Sequence, residues 1–290
     1  MSYFASLEFH EKVIDSAESI APLPAGVVRL AEMAADPTTT VNDITALVTG
    51  DVALTTALLR EANSAAASAR DAIDTVQGAV VRLGTSRVVA VAVGAGVGET
   101  LPERLHGYGA TLTQFWGHAQ AASVAAESVI ALSSEEFGGG LVTAALLQNV
   151  GSIVLDSFIP SAGYQAAFIT AADQAAAERE LVDIDHGAVG AMLCRHWQLP
   201  ATISDAIEHH HLLDDEYDPA ACVLHVSDVL VCELVPGIAE RGIVRSGTHR
   251  FDTAIETLGI TDVAELRRHI EQRLVAREIP VQPFEPIQPI

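Results

Sequence analysis

Basic residues, cysteines and aromatic rings are all scarce in this sequence. Of 290 residues 16 are Lys or Arg against 38 Asp or Glu, a formal charge of -22, and Lys12 is the single lysine. The arginines are dispersed, so no basic patch is available to track a phosphate backbone or an anionic bilayer, and neither nucleic acid nor membrane is an expected partner. Three cysteines, Cys194, Cys222 and Cys232, have no CxxC spacing. An odd number argues against a closed disulfide framework, and buried free thiols are the simpler reading. The N-terminal MSYFASLEFHEKVID has no basic segment followed by an apolar core, so no secretory signal is read there. The longest uninterrupted apolar run, Val88–Gly98, is too short to cross a bilayer. A cytoplasmic protein is the expectation.

Alanine, leucine and valine are abundant, with apolar residues at three- and four-residue spacing through most of the chain. That pattern predicts an all-α protein. Ser6 is read as the cap of a first helix running to about Ile20, and Pro24 as part of the first turn of a second. Thr40 with Asp43 forms a capping-box pattern; Asp51 and Asp74 are read as caps of the next helices, and Gly50 and Gly84 as their ends. A valine-rich helix spans about Ser86 to Val97, and a long one about Thr111 to Leu132. Further helices are expected over 162–179, 186–198, 200–211, 219–234, 252–258 and 261–277. The segment Gly98–Ala110, rich in glycine and charge, is the best internal boundary. It divides the chain into a lead over 1–17, two helical sub-domains over about 18–100 and 110–235, and an extension over 236–290. In the last stretch Pro280, Pro283, Pro286 and Pro289 recur every three residues, which fits a polyproline II tail able to dock on a partner.

The apolar run Leu141–Asp156 reads as a helix interrupted by the polar pair Gln148-Asn149. Several histidines in the second half, His118, His186, His196 and His209 to His211, invite a metal reading, as do His225 and Asp228, which share a helix face. No HExxH or CxxC pattern fixes two ligands locally, and hydrogen-bonded core histidines account for the same spacing. Trp116 and Trp197 read as core anchors, Asn63 as a turn residue bonding the backbone, and Glu180 either as an orienting partner for His186 or as a solvated carboxylate.

The series Leu23 to Ala65, VQGAVVRLG (Val76–Gly84), FWGHA (Phe115–Ala119), AALLQNVGSIVL (Ala144–Leu155), DHGAVGAMLCRHWQLP (Asp185–Pro200) and ISDAIEHHH (Ile203–His211) resembles, in order, the HDOD family, the HD-related output domain of bacterial signalling proteins. The resemblance covers about 18–235. It implies an all-α fold whose second half is similar to HD-superfamily phosphohydrolases, in which a histidine, a His-Asp pair and a distant aspartate hold metal. Carried over, these fall on His118, on Gln148-Asn149 and on Asp228, with additional histidines at His186 and at His209 or His210. Two amides therefore stand where imidazole and carboxylate would ligate, weakening both charge compensation and water activation. The resemblance implies a non-catalytic regulatory module, with no cofactor, that acts through contacts with separate signalling proteins. The candidate vestigial pocket is His118, Gln148, Asn149, Glu180, His186, His209, His210 and Asp228; were it to hold metal, His118, His186, His209 and Asp228 would be the ligands. A metal-dependent phosphohydrolase or cyclic-nucleotide phosphodiesterase, and a small-ligand sensor, are the alternatives.

Overall fold

The computed structural model describes residues 3–36, 38–64, 73–98, 103–160, 174–211, 217–235 and 248–277. The proline tail and residues 162–173 of the helix expected from Ala162 lie outside them. The described chain is all-α apart from one two-residue ladder. In order it forms α1 (Tyr3–Ser19), α2 (Ala25–Ala35), α3 (Val41–Thr49), α4 (Val52–Ser64), α5 (Val76–Leu83) and α6 (Thr85–Gly98). The antiparallel pair β1 (Arg104–Leu105) and β2 (Ala110–Thr111) leads into α7 (Leu112–Leu132), α8 (Leu141–Leu147) and α9 (Gly151–Leu155). Then come α10 (Gln174–Val182), α11 (His186–His196), α12 (Ala201–His209), α13 (Pro219–Leu234), α14 (His249–Thr257) and α15 (Val263–Ala276).

Local chemistry sets most boundaries. Thr40 and Asp43 close a reciprocal capping box at the start of α3, the Thr40 amide donating to Asp43 Oδ2 at 2.9 Å and the Asp43 amide to Thr40 Oγ1 at 3.3 Å. Asp51 Oδ1 accepts from the amides of Ala53 and Leu54 at the start of α4. The cap of α5 is Thr75 rather than Asp74: its hydroxyl, one residue nearer the helix, accepts from the Gly78 amide at 3.1 Å. Likewise α1 begins at Tyr3, before the expected cap Ser6. Gly84 ends α5 with φ 74°, a value that needs glycine. Asn63 joins the end of α4 to Ile73, accepting from its amide and donating to its carbonyl, both at 2.8 Å.

A single contiguous set of buried apolar side chains runs through both halves, from Leu30, Ile44, Leu58 and Val93 to Val124, Leu147, Leu193, Ile207 and Leu230. Helix α6 carries the join, packing on α2 behind it and on α8 ahead. The C-terminal helices cover the second half, α14 on α13 and α15 on α7, where Arg273 and Arg277 converge on Glu127 at 2.8 and 2.7 Å. Trp197 is buried, and its indole N–H donates to the Ala21 carbonyl at 3.1 Å. Trp116 is only half-buried, because its side of α7 faces a cleft rather than a packed helix.

The expected helix over Leu141–Asp156 breaks at the polar pair. Val150 N bonds Leu147 O at 2.8 Å and Ser152 N bonds Asn149 O at 3.0 Å, both with i to i−3 spacing, so a tightened turn separates α8 from α9. Gly151 follows at once, and a Cβ there would collide with the His186 carbonyl oxygen and the Gly190 amide. The break and the glycine together bring α9 into backbone contact with α11. Among the described residues no single helix is long and apolar enough to cross a membrane; α5 and α6 pass that test only together, and they bend by 111° between them.

Candidate functional site

Each site residue stands on the buried stripe of its helix. On α7 the stripe Phe115, His118, Ala122, Ala125, Val129 turns His118 inward, 3% exposed. Helix α13 is buried almost all round and presents His225 and Asp228 on adjoining turns. On α12 the stripe Ile203, Ala206, Ile207 continues at the next turn to His210, so His210 and then His211 point into the protein. His186 is the first residue of α11, held by the Asp185 cap, whose Oδ1 accepts from the Ala188 amide.

Two linked clusters result. In the first, Asp228 Oδ1 receives His118 Nε2 at 2.8 Å and the Gln148 amide at 2.5 Å. In the second, Glu178 is fully buried and accepts four donors: Tyr108 Oη at 2.8 Å, Gln174 Nε2 at 2.9 Å, His186 Nδ1 at 2.8 Å and the His186 amide at 2.7 Å. On the other side of the ring, His186 Nε2 meets His211 Nε2 at 3.0 Å, with His210 set edge-on nearby at 5.2 Å between centroids. The Asp156 carboxylate positions Tyr108 by accepting from the amides of His106 and Gly107 at 3.0 and 2.7 Å.

The protonation pattern follows from this geometry. Burial by itself would lower the His186 pKa, but the Glu178 carboxylate, with Asp185 and Asp228 beyond it, outweighs burial and raises it. Burial pushes His210 down to about 4, reinforced by the neighbouring positive charge of His186. His211 is also held well below its ordinary value, by burial first and then by His210 and His186. When His186 is protonated, its Nδ1–H donates to Glu178 and its Nε2–H to His211. Asp185 is held low despite its burial, by His186, the Ala188 amide and Arg179.

The structure brings together His118, Gln148 and Asp228, and separately His186 with His210. It leaves Glu180 and His209 on the surface, because both fall on the outward side of their helices. Glu178 stands in the place considered for Glu180, on the same face as Ala175 and Val182, and His211 in the place considered for His209. Asn149 is partly exposed in the tightened turn, and no hydrogen bond joins its side chain to the cluster among the described residues. The sequence reading missed Tyr108, Gln174 and Glu178, and named His211 only within the triple histidine, not in the candidate pocket. The apolar stripe signals Glu178 and the triple histidine signals His211, whereas nothing local marks Tyr108 or Gln174.

The ligand set His118, His186, His209 and Asp228 does not assemble, since His209 is outside. The nearest alternatives are His118, Asp228 and Cys232, and His186, His210 and His211, each with potential ligand atoms within 4.8 Å of one another. The first set fits a metal poorly. Asp228 Oδ1 is already taken by two N–H donors, and the Gln148 amide beside it has only a neutral carbonyl oxygen to offer where an imidazole or carboxylate would ligate. The second has suitable donor chemistry, including a buried His210 Nε2 with no described partner. Its His186 ring, however, already meets Glu178 through Nδ1 and His211 through Nε2.

Histidines and carboxylates are thus drawn inward from several helices of an all-α scaffold. Residues 20–213 match the HDOD domain model, about two-thirds of the chain, and the chain belongs to that family. An uncharacterized protein of Treponema pallidum (strain Nichols) is 26% identical over 218 residues, 71% of this chain. The chain spans 41% of the length of that relative. Among solved structures, an HDOD domain protein of unknown function from Geobacter sulfurreducens superposes with a TM-score of 0.67 at 19% identity, over 93% of this chain and 98% of the other. A candidate phosphohydrolase from Shewanella amazonensis SB2B gives 0.68 at 20%, over 93% and 96%. A candidate signal transduction protein from Marinobacter aquaeolei VT8 gives 0.70 at 20%, over 97% of this chain and 65% of that one. At these identities the likeness establishes the fold alone.

Proposed function

We propose that this chain is a non-catalytic signal-transduction module that works through protein contacts, its histidine and carboxylate cluster serving as a hydrogen-bonded core rather than as a hydrolytic centre. The observation that carries this reading is the Gln148 amide on Asp228 Oδ1, beside His118 Nε2 on the same oxygen. A hydrolase needs that carboxylate for a metal and a metal to acidify water. Here the carboxylate is compensated by two protein donors instead, which is how a buried charge is retained without an ion. The HDOD family membership and the solved relative described as a candidate signal transduction protein agree with the reading.

The test is elemental analysis of the protein purified without chelator, together with turnover of cyclic dinucleotides and of a generic phosphodiester. Less than a tenth of an equivalent of transition metal and no turnover are expected. Stoichiometric metal with turnover that His118→Ala abolishes would instead establish the phosphohydrolase reading. The neutral donors of His210 and His211 favour one second reading, a metal held without hydrolysis. Its signature in the same experiment is stoichiometric metal, lost on His211→Ala, with no turnover.

A further inference from the structure

A cleft of about 390 Å³ opens on the other side of α7, walled by α4, α6, α7 and α8. Its volume lies toward the low end of the roughly 300–1,000 Å³ usual for small-molecule sites. None of its lining residues belongs to the histidine cluster. Its walls are small and apolar, Ala57, Ala90, Val91, Gly94, Ala95 and Leu146, so the backbones stay back and leave the space open. Trp116 forms one side, backed by Ala90, Ala119, Val142 and Leu146 and braced edge-on by Phe115 at 5.7 Å.

The polar groups at this cleft are unevenly matched. The Arg87 guanidinium is spent inside the protein, with Nε and Nη2 donating to Glu61 Oε1 at 3.0 and 2.6 Å and Nη1 to Ser123 Oγ at 2.6 Å. That pair neutralises the Glu61 charge. Arg60 beside it is exposed and makes no ion pair with any described residue, unusual in a chain of formal charge -22. The indole N–H of Trp116 also has no described acceptor. What remains, beside the neutral side chains of Thr113 and Gln120, is one positive charge at the mouth of an apolar slot with an aromatic wall.

The geometry points to a binding site for a small anion that carries a flat aromatic ring, the ring lying in the slot beside Trp116 and the anionic group meeting Arg60. Guanidinium binds carboxylate or phosphate through paired hydrogen bonds, and a ring in the slot removes apolar surface from water. Trp116 and Gly117 line the cleft while His118 faces the cluster, and Leu146 lines it two residues before Gln148. A ligand there thus bears directly on α7 and α8, which position His118 and Gln148, two of the three members of the Asp228 triad. This site lies apart from the histidine cluster and does not depend on whether that cluster binds metal.

Calorimetry on the full chain with AMP and with benzoate tests it, and distinguishes a nucleotide from a simple aromatic acid. Adenosine and inorganic phosphate supply ring and anion separately. Saturable binding of AMP or benzoate is expected, at least tenfold tighter than that of adenosine or phosphate. Arg60→Ala should weaken it about tenfold, and Ala95→Leu, which fills the slot, by as much or more. Binding should quench tryptophan fluorescence in the wild type and not in Trp116→Phe, since Trp197 is buried. Absence of saturable binding by either anion, or an affinity unchanged by Arg60→Ala, overturns the proposal.

Discussion

Two regions flank α7, and they treat charge in opposite ways. On the α13 side every buried carboxylate is enclosed by donors, with Glu178 accepting four hydrogen bonds and Asp228 two at one oxygen. On the α6 side Arg60 and Trp116 line an open slot, and Arg60 makes no ion pair with any described residue. The contrast separates a polar network that holds a structure together from one that awaits a partner. In a low-dielectric interior an unmatched ion costs several kcal/mol, so the buried carboxylates of the histidine cluster persist because N–H and O–H donors meet them, although neutral atoms such as His118 Nδ1 and His210 Nε2 stay unpartnered among the described residues. At the surface an unmatched arginine costs little, and the cleft can remain open.

The largest expected effect comes from opening the closed side. Glu178→Ala removes the acceptor of Tyr108, Gln174 and both His186 donors, and should lower stability by about 3–5 kcal/mol in urea unfolding. A loss below 1 kcal/mol would mean that water replaces the carboxylate easily, and the two regions would no longer differ in kind. Gly151→Ala ranks next, at about 3 kcal/mol, because the methyl group meets backbone atoms of α11 that cannot rotate away. A thermal melt within 2 °C of wild type would contradict the close crossing of α9 and α11.

Acid should reveal the closed side without mutation. His210 and His211 have folded pKa values below the unfolded value of about 6.5, His210 at about 4. The unfolded chain takes up their protons first, so their contribution is complete above about pH 6.5 and is lost as pH falls toward 4, by a few kcal/mol. His186 has the opposite sign: its raised pKa stabilises fully below about 6.5 and the contribution is lost as pH rises through the folded value. Stability should peak near neutrality, and His210→Gln should flatten the acid side of urea midpoints measured from pH 4 to 9. An acid limb unchanged by that substitution would assign it to carboxylates instead. The smallest effect belongs to the open side: Arg60→Ala should shift stability by less than about 0.5 kcal/mol. A larger loss would show that Arg60 is part of the closed structure.

The helices were legible because their signals are local. The Thr40–Asp43 box, the Asp51 cap and Gly84 act within a few residues, and apolar spacing marks which face of α7, α12 and α13 turns inward. The same spacing distinguishes Glu178 from Glu180 and His210 from His209 once the helix ends are known. It could not do so beforehand, because an error of one residue in a helix end rotates the inward face by about 100°. Tyr108 and Gln174 were beyond reach for another reason. Tyr108 meets Glu178 across 70 positions of sequence through a hairpin tied to Asp156, and Gln174 is an ordinary amide until its helix is docked.

By itself, then, the sequence determined that the chain is helical, strongly acidic and an HDOD relative, and that amides stand at 148 and 149. Each of these depends on residue type and near-neighbour spacing. Only the tertiary structure decided what those amides do. The Gln148 amide N–H donates a hydrogen bond to Asp228, 80 positions away on α13, while Asn149 is partly exposed. That outcome depends on the tight turn that breaks the helix and on Gly151 admitting the backbone of α11. Packing between distant segments selects both, and no local pattern encodes it.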